Sequence, residues 1–183
     1  MHYCMIIIGK NEDQCLNLLE QYSAYREVSY DVENDYWYNP EAHYDWYQIG
    51  GRFCARLEVK SDCTEYSTDN TSWCSSDTLY HTDKEGIRIV DGARAKDILN
   101  LDEVICYGYV DASGWYDSWD AYESHLFAQY EKDRNEDSVA VEEEAYKTLT
   151  ERREEAARKF NQEIREIIRQ DENKYILICD VHN

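Results

Sequence analysis

The segment Asn39 to Phe53, NPEAHYDWYQIGGRF, gathers side chains able to do chemistry within one short stretch. Asp45 supplies a carboxylate, Trp46 and Tyr47 supply aromatic faces, Gly50 and Gly51 supply bare backbone, and Arg52 supplies a guanidinium. A planar ring can stack on Trp46 or Tyr47. Glycine amides can donate to phosphate oxygens, and an arginine fork can close on the same group. The set therefore suits a nucleotide-like small anion. It also suits a structural corner, in which the tryptophan fills the core beside a tight Gly-Gly turn and Arg52 pairs with Asp45. The glycines do not form a phosphate-binding P-loop, because the G-x-x-x-x-G-K-[ST] spacing is absent.

A second pair lies at the far end of the chain. Asp180 and His182 are two residues apart in KYILICDVH, so on a strand they point the same way. They could serve as an orienting acid and a base, as metal ligands together with His2, or as the polar end of a core strand. His43, His81 and His125 have no ligand-spaced neighbour. No C-x-x-C, H-x-x-x-H, H-x-E or G-x-S-x-G occurs, so the expectation is no metal, no cofactor and no Ser or Cys nucleophile with a local signature.

These groups need elements to hold them. The apolar run His2 to Ile8 reads as a central strand, and Asn11 with Glu12 and Asp13 opens a helix whose inner face is Cys15, Leu18, Leu19 and Tyr22. Residues 24 to 38 show no clear period and read as an irregular excursion. Pro40, the only proline, holds Asn39 out of helical geometry. A strand is expected from Arg52, with Phe53, Ala55, Leu57 and Val59 on one face. Thr78 to Thr82 and Ile87 to Val90 read as a hairpin, Asp91 to Asn100 as a short helix, and Val104 to Val110 as a strand. A helix capped by Ser118 would carry Trp119, Tyr122, Leu126 and Tyr130 on one side.

The longest helix is expected over 138–170, with a stripe through Val141, Ala145, Leu149, Ala156, Phe160, Ile164, Ile167 and Ile168 that Arg153 interrupts. That stripe packs on the sheet, or forms an oligomer seam or partner-binding arm. A closing strand then places Ile176, Ile178, Asp180 and His182 on one face and Leu177, Cys179 and Val181 on the other. Together these elements imply a single α+β domain over 1–183. It would hold an antiparallel or mixed sheet with ferredoxin-like elements, in which the first and last strands are antiparallel neighbours and His182 falls close to His2.

Composition narrows the function classes. With 39 acidic residues against 19 basic ones, the formal net charge is −20. Such a surface repels nucleic acid and anionic membrane and invites a basic partner, so direct nucleic-acid binding is not expected. Seven cysteines, an odd count inside largely apolar runs, read as reduced thiols of a cytoplasmic protein. The opening MHYCMIIIGK lacks the cationic lead of a signal peptide, and no run reaches the roughly 18 apolar residues of a membrane span.

The chain resembles a family of small uncharacterised proteins of bacteriophages and prophages. The resemblance rests on an apolar opening strand, an N-P-x4-D-W-Y-x-I-G-G-R-[WF] segment, and a closing strand ending in D-x-H. The segment is represented here by Asn39, Pro40, Asp45, Trp46, Tyr47, Ile49, Gly50, Gly51, Arg52 and Phe53, and the ending by Asp180 and His182. The family pattern places valine before the aspartate, where this chain has Cys179. The excursions at 24–38 and 61–76 and the long helix lie outside the likeness.

A phage origin implies a small protein that disables a host defence. On that basis the expected function is counter-defence by binding, without catalysis, through capture of a nucleotide-like immune signal at Asp45, Trp46, Tyr47, Gly50, Gly51, Arg52, Asp180 and His182. An acidic inhibitor that imitates nucleic acid against a CRISPR effector or restriction nuclease is the alternative. A nucleotide phosphodiesterase using His182, Asp180 and Arg52 is the third.

Overall fold

The computed structural model describes residues 1–54, 56–68, 86–119 and 143–183, with side chains in the last stretch from residue 150 onward. The apolar opening run forms β1 (His2–Gly9), and the closing run forms β11 (Tyr175–His182). The two pair antiparallel along their whole length, from His2 opposite His182 to Gly9 opposite Tyr175. This is the expected neighbour relation, and it brings the two histidines together.

Between them the chain forms α1 (Glu12–Glu20), β2 (Ser29–Asp31), β3 (Tyr36–Tyr38), β4 (Trp46–Ile49), β5 (Leu57–Lys60), β6 (Tyr66–Ser67), β7 (Ile87–Val90), β8 (Gly92–Arg94), β9 (Gly108–Asp111), β10 (Gly114–Asp117) and α2 (Glu143–Arg169). The fold is α+β. Seven strands make one mixed sheet in the order β10-β9-β1-β11-β8-β6, with β4 also on β11. The only parallel pair in that sheet, among the described residues, is β1 with β9. The free edge of β11 is divided: Tyr175 to Leu177 pair with β8, and Cys179 to His182 pair with β4.

Both faces of β1 and β11 are covered, which explains their continuous apolar runs. On one face Cys4, Ile6, Ile8, Ile176 and Ile178 pack with Leu57, Val59 and Val90, and with Ile164 and Ile168 of α2. On the other, Met5, Ile7, Leu177, Cys179 and Val181 pack with Cys15 and Leu19 of α1, and with Tyr44 and Val110. The Asn11 side chain caps α1 by accepting from the Gln14 amide. The alternation expected along β11 is the one observed.

Several sequence expectations change. Gly51–Phe53 is a single 3-10 turn, not the start of a strand, and extended pairing begins only at Leu57. The Gly50 and Gly51 φ angles of +67° and +52° turn the chain so sharply that the Phe53 amide closes onto the Gly50 carbonyl. The 24–38 stretch is not wholly irregular: β2 and β3 make a hairpin. Its signal was obscured because both strands are short and largely exposed, leaving little inside-outside alternation. Asp91 to Asn100 contains β8 and a 3-10 turn at Ala95–Asp97 in place of a helix, because the β11 edge captures Gly92–Arg94 as a strand. In the Val104 to Val110 run, strand structure starts only at Gly108.

The expected strand at 78–82, its turn with β7, most of the helix after Ser118, and residues 138–142 of the long helix lie outside the described residues. Within them β7 pairs with β5. Cys4, Cys15, Cys63, Cys106 and Cys179 are free thiols, whereas Cys54 is disulfide-bonded, which corrects the all-reduced expectation.

Burial pushes the Cys4 and Cys15 thiols from 9.0 up to about 12, and raises Cys106 and Cys179 for the same reason. Folding therefore keeps protons on groups that the unfolded chain would release. This contribution is fully present below pH 9 and is lost as pH rises through the 9-to-12 window. Urea unfolding midpoints measured in steps across that window should fall with increasing pH, and a flat profile contradicts the buried-thiol assignment.

Candidate functional site

The register of β1, β11 and β4 builds one polar corner at the end of the sheet. His2 lies opposite His182, Asp180 opposite Gln48, and His182 opposite Trp46. Cross-strand partners share a face, so His2, Trp46, Gln48, Asp180 and His182 all project to the α2 side of the sheet. A cavity of about 350 Å³ opens there, lined by these five together with Tyr25, Asp45 and Arg52. That volume lies at the small end of the roughly 300–1,000 Å³ typical of ligand pockets.

The segment entering β4 is fixed by Asn39. This asparagine is buried, and its side-chain amide donates to the carbonyls of Gln21 and Ser23 at 2.8 and 2.9 Å. Its side-chain oxygen accepts from the Glu41 amide. The bend at Pro40 is thereby tied to the end of α1, and Tyr44 bridges to Ser23 just before Asp45. The Asp45 amide then donates to the His182 carbonyl, which extends the β4–β11 pairing to the mouth of the cavity.

Two carboxylate–imidazole pairs face each other. His2 Nδ1 lies 2.8 Å from Asp180 Oδ1, and His182 Nδ1 lies 2.8 Å from Asp45 Oδ1. A carboxylate only accepts, so each Nδ1 carries the proton and donates. Each ring is thereby held in one tautomer with Nε2 as its remaining functional nitrogen. The ring centroids are 4.9 Å apart at an interplanar angle of 62°. The bond from His182 also holds the Asp45 carboxyl below its usual range.

Asp180 is the hub of this corner. It is 1% exposed, and its second oxygen accepts from the Arg52 backbone amide at 3.1 Å. Gly51 lies directly against it: a Cβ there would sit 2.5 Å from Asp180 Cβ. A Cβ on Gly50 would sit 2.7 Å from the carboxylate of buried Asp91. The close approach that these glycines permit is therefore to the protein's own acids.

The predicted site residues divide accordingly. Asp45, Trp46, Arg52, Asp180 and His182 meet at the cavity. Tyr47 does not, because strand alternation turns it to the α1 side beside Tyr44. Gly50 and Gly51 are buried behind the cavity wall, and the Gly50 amide is already committed to the Ile178 carbonyl. Asp45 pairs with His182 rather than with Arg52. Arg52 is exposed, lines the cavity, and forms no ion pair with a carboxylate among the described residues.

Gln48 and Tyr25 were missed. The two-residue period of β4 would have placed Gln48 beside Trp46, whereas nothing local pointed to Tyr25. His43, left without a role by the sequence, stacks on Trp115 at 4.6 Å on the α1 side. Among the described residues, no three His, Cys, Asp or Glu side chains converge as a metal site would require, and no helix is long and apolar enough to cross a membrane.

No family model, curated protein or solved structure matches this chain.

Gly51→Ala should destabilise the fold by roughly 2–4 kcal/mol, combining the left-handed backbone cost with overpacking against Asp180. Denaturant unfolding measures this, and a loss under about 1 kcal/mol would show that the corner has room to relax.

Proposed function

We propose that the cavity at the ends of β1, β4 and β11 binds a nucleotide-like small anion. The observation that carries this reading is the pairing of Trp46, 41% exposed, with the exposed Arg52 in the lining of one open cavity. Trp46 and Tyr25 offer ring faces for a base, and Arg52 offers a fork for phosphate. The glycine amides take no part, so the anion is held by side chains. The −20 net charge opposes an incoming anion at long range. Arg52 offsets it locally with a single guanidinium, which favours a diester phosphate with one charge over a highly charged polyphosphate.

Together with the phage-family resemblance, this reading makes the chain a counter-defence protein that withdraws a nucleotide immune signal. Calorimetry with a panel of cyclic mononucleotides and cyclic dinucleotides tests it. At least one should bind, Trp46→Ala and Arg52→Ala should each weaken binding about 10- to 100-fold, and Tyr47→Phe should leave it unchanged. Binding that is insensitive to Arg52→Ala, or a panel that does not bind, removes the reading.

The β2–β3 hairpin favours a second reading. It exposes Tyr30, Tyr36 and Trp37 beside the acidic turn of Asp31, Glu33 and Asp35, on a strongly acidic chain. Exposed aromatics next to acids suit contact with a basic protein such as a CRISPR effector or restriction nuclease. Under this reading a purified effector of that kind binds in a salt-sensitive manner and Trp37→Ser reduces its affinity about tenfold or more, whereas equal affinity of the variant counts against it.

A further inference from the structure

We infer that His2 and His182 form a general acid–base pair that cleaves a phosphodiester held in the cavity. The inference rests on the anion-binding reading above and goes beyond capture. Its basis is the duplicated arrangement. Two imidazoles from different strands line one cavity, each with Nδ1 fixed by its own carboxylate, their centroids 4.9 Å apart. A single His–Asp pair at a strand end has an ordinary structural explanation. Two pairs that converge from the two ends of the chain, beside an arginine without a carboxylate partner among the described residues, match what phosphoryl transfer requires. It needs one group to accept a proton, one to supply it, and a cation for the equatorial oxygens.

The step balances with water as co-reactant. A water oxygen forms a new bond to phosphorus while its proton passes to Nε2 of one neutral ring. The bond from phosphorus to the bridging sugar oxygen breaks, and that oxygen takes the proton from Nε2 of the other, protonated ring. One diester and one water give a phosphomonoester and a hydroxyl, with no change of oxidation state. The rings end with their protonation states exchanged and reset through solvent. Arg52 holds the non-bridging oxygens. Asp180 and Asp45 are positioning residues that fix the tautomer and angle of each ring.

The charged and titratable groups facing this pair are Tyr25 from the segment after α1, Asp45 beside β4, Asp180 on β11, Arg52 on the glycine turn, the amino terminus of Met1, and the two rings themselves. With one ring neutral and one charged, the rate is expected to follow a bell-shaped pH profile.

The test incubates the intact protein with cyclic di-adenylate and cyclic adenylate-guanylate, follows linear products by mass spectrometry, and measures binding of the same probes by calorimetry. His2→Asn and His182→Asn keep a side-chain amide for the carboxylate but remove the titrating Nε2. The expected result is wild-type turnover unaffected by EDTA. Each variant should lose about 10²- to 10⁴-fold in kcat, far more than any change in Kd measured with the same probes, with one limb of the bell missing. Asp45→Asn, at an exposed position, should lower kcat less than His182→Asn does and change the pH profile of the rate. Probes that bind but remain intact overturn the inference and leave the binding reading standing. Turnover abolished by EDTA, or unchanged in both histidine variants, also overturns it. Probes that do not bind overturn both.

Discussion

Eight residues of β1 lie against eight of β11 in a single antiparallel register, and every other feature of the site depends on that alignment. A slip of β11 by one residue would carry Ile176 and Ile178 from one core to the other and turn Asp180 away from His2. Both faces are buried, so the register is specified twice: by α1 and its partners on one side, and by α2 with β5 and β7 on the other. A strand pair constrained on both faces can hold two imidazoles at its open end in a defined relation, because the ends of β1 and β11 have little freedom to shear.

A buried carboxylate completes the corner. Asp180 is removed from water, so it must be satisfied by donors of the chain itself. It receives one from the first strand, His2 Nδ1, and one from the glycine turn, the Arg52 amide. The second donor can reach it only because Gly51 has no side chain in the way and occupies a left-handed conformation. The Gly-Gly-Arg sequence is therefore a packing device that sends the arginine side chain outward to the cavity while its backbone holds the acid. The structural corner and the cavity lining, which the sequence presents as alternatives, share one turn: its glycines pack against acids while Arg52 lines the cavity.

The divided edge of β11 explains why β4 is so short. Its four residues occupy only the part of the edge that β8 leaves free, and Gly50 begins the turn where the two strands would collide. The Asn39–Pro40 bend, tied to the end of α1, then determines where Asp45 enters. Each residue type in the segment thus has a positional cause. Asn39 anchors, Asp45 orients His182, Trp46 and Gln48 face the cavity, Tyr47 and Ile49 face the core, and the glycines make room for acids.

Much of this was legible without coordinates. The apolar runs at both ends read as covered central strands, the period of two along KYILICDVH put Asp180 and His182 on one face, and the α+β class follows from the order of elements. The proximity of His2 and His182 also follows once the terminal strands are taken as antiparallel neighbours. Local pattern failed where a long-range partner decided the outcome. Gly92–Arg94 is a strand because β11 has a vacant edge there, Gly51 adopts its turn against a carboxylate far along the chain, and Tyr25 reaches the cavity from beyond α1. The sequence by itself determined which side chains share a face, since that is a property of strand geometry within a few residues. Only the tertiary structure decided which faces meet, and so which carboxylate belongs to which histidine, because those pairings join residues 137 and 178 positions apart and rest on the packing of both cores.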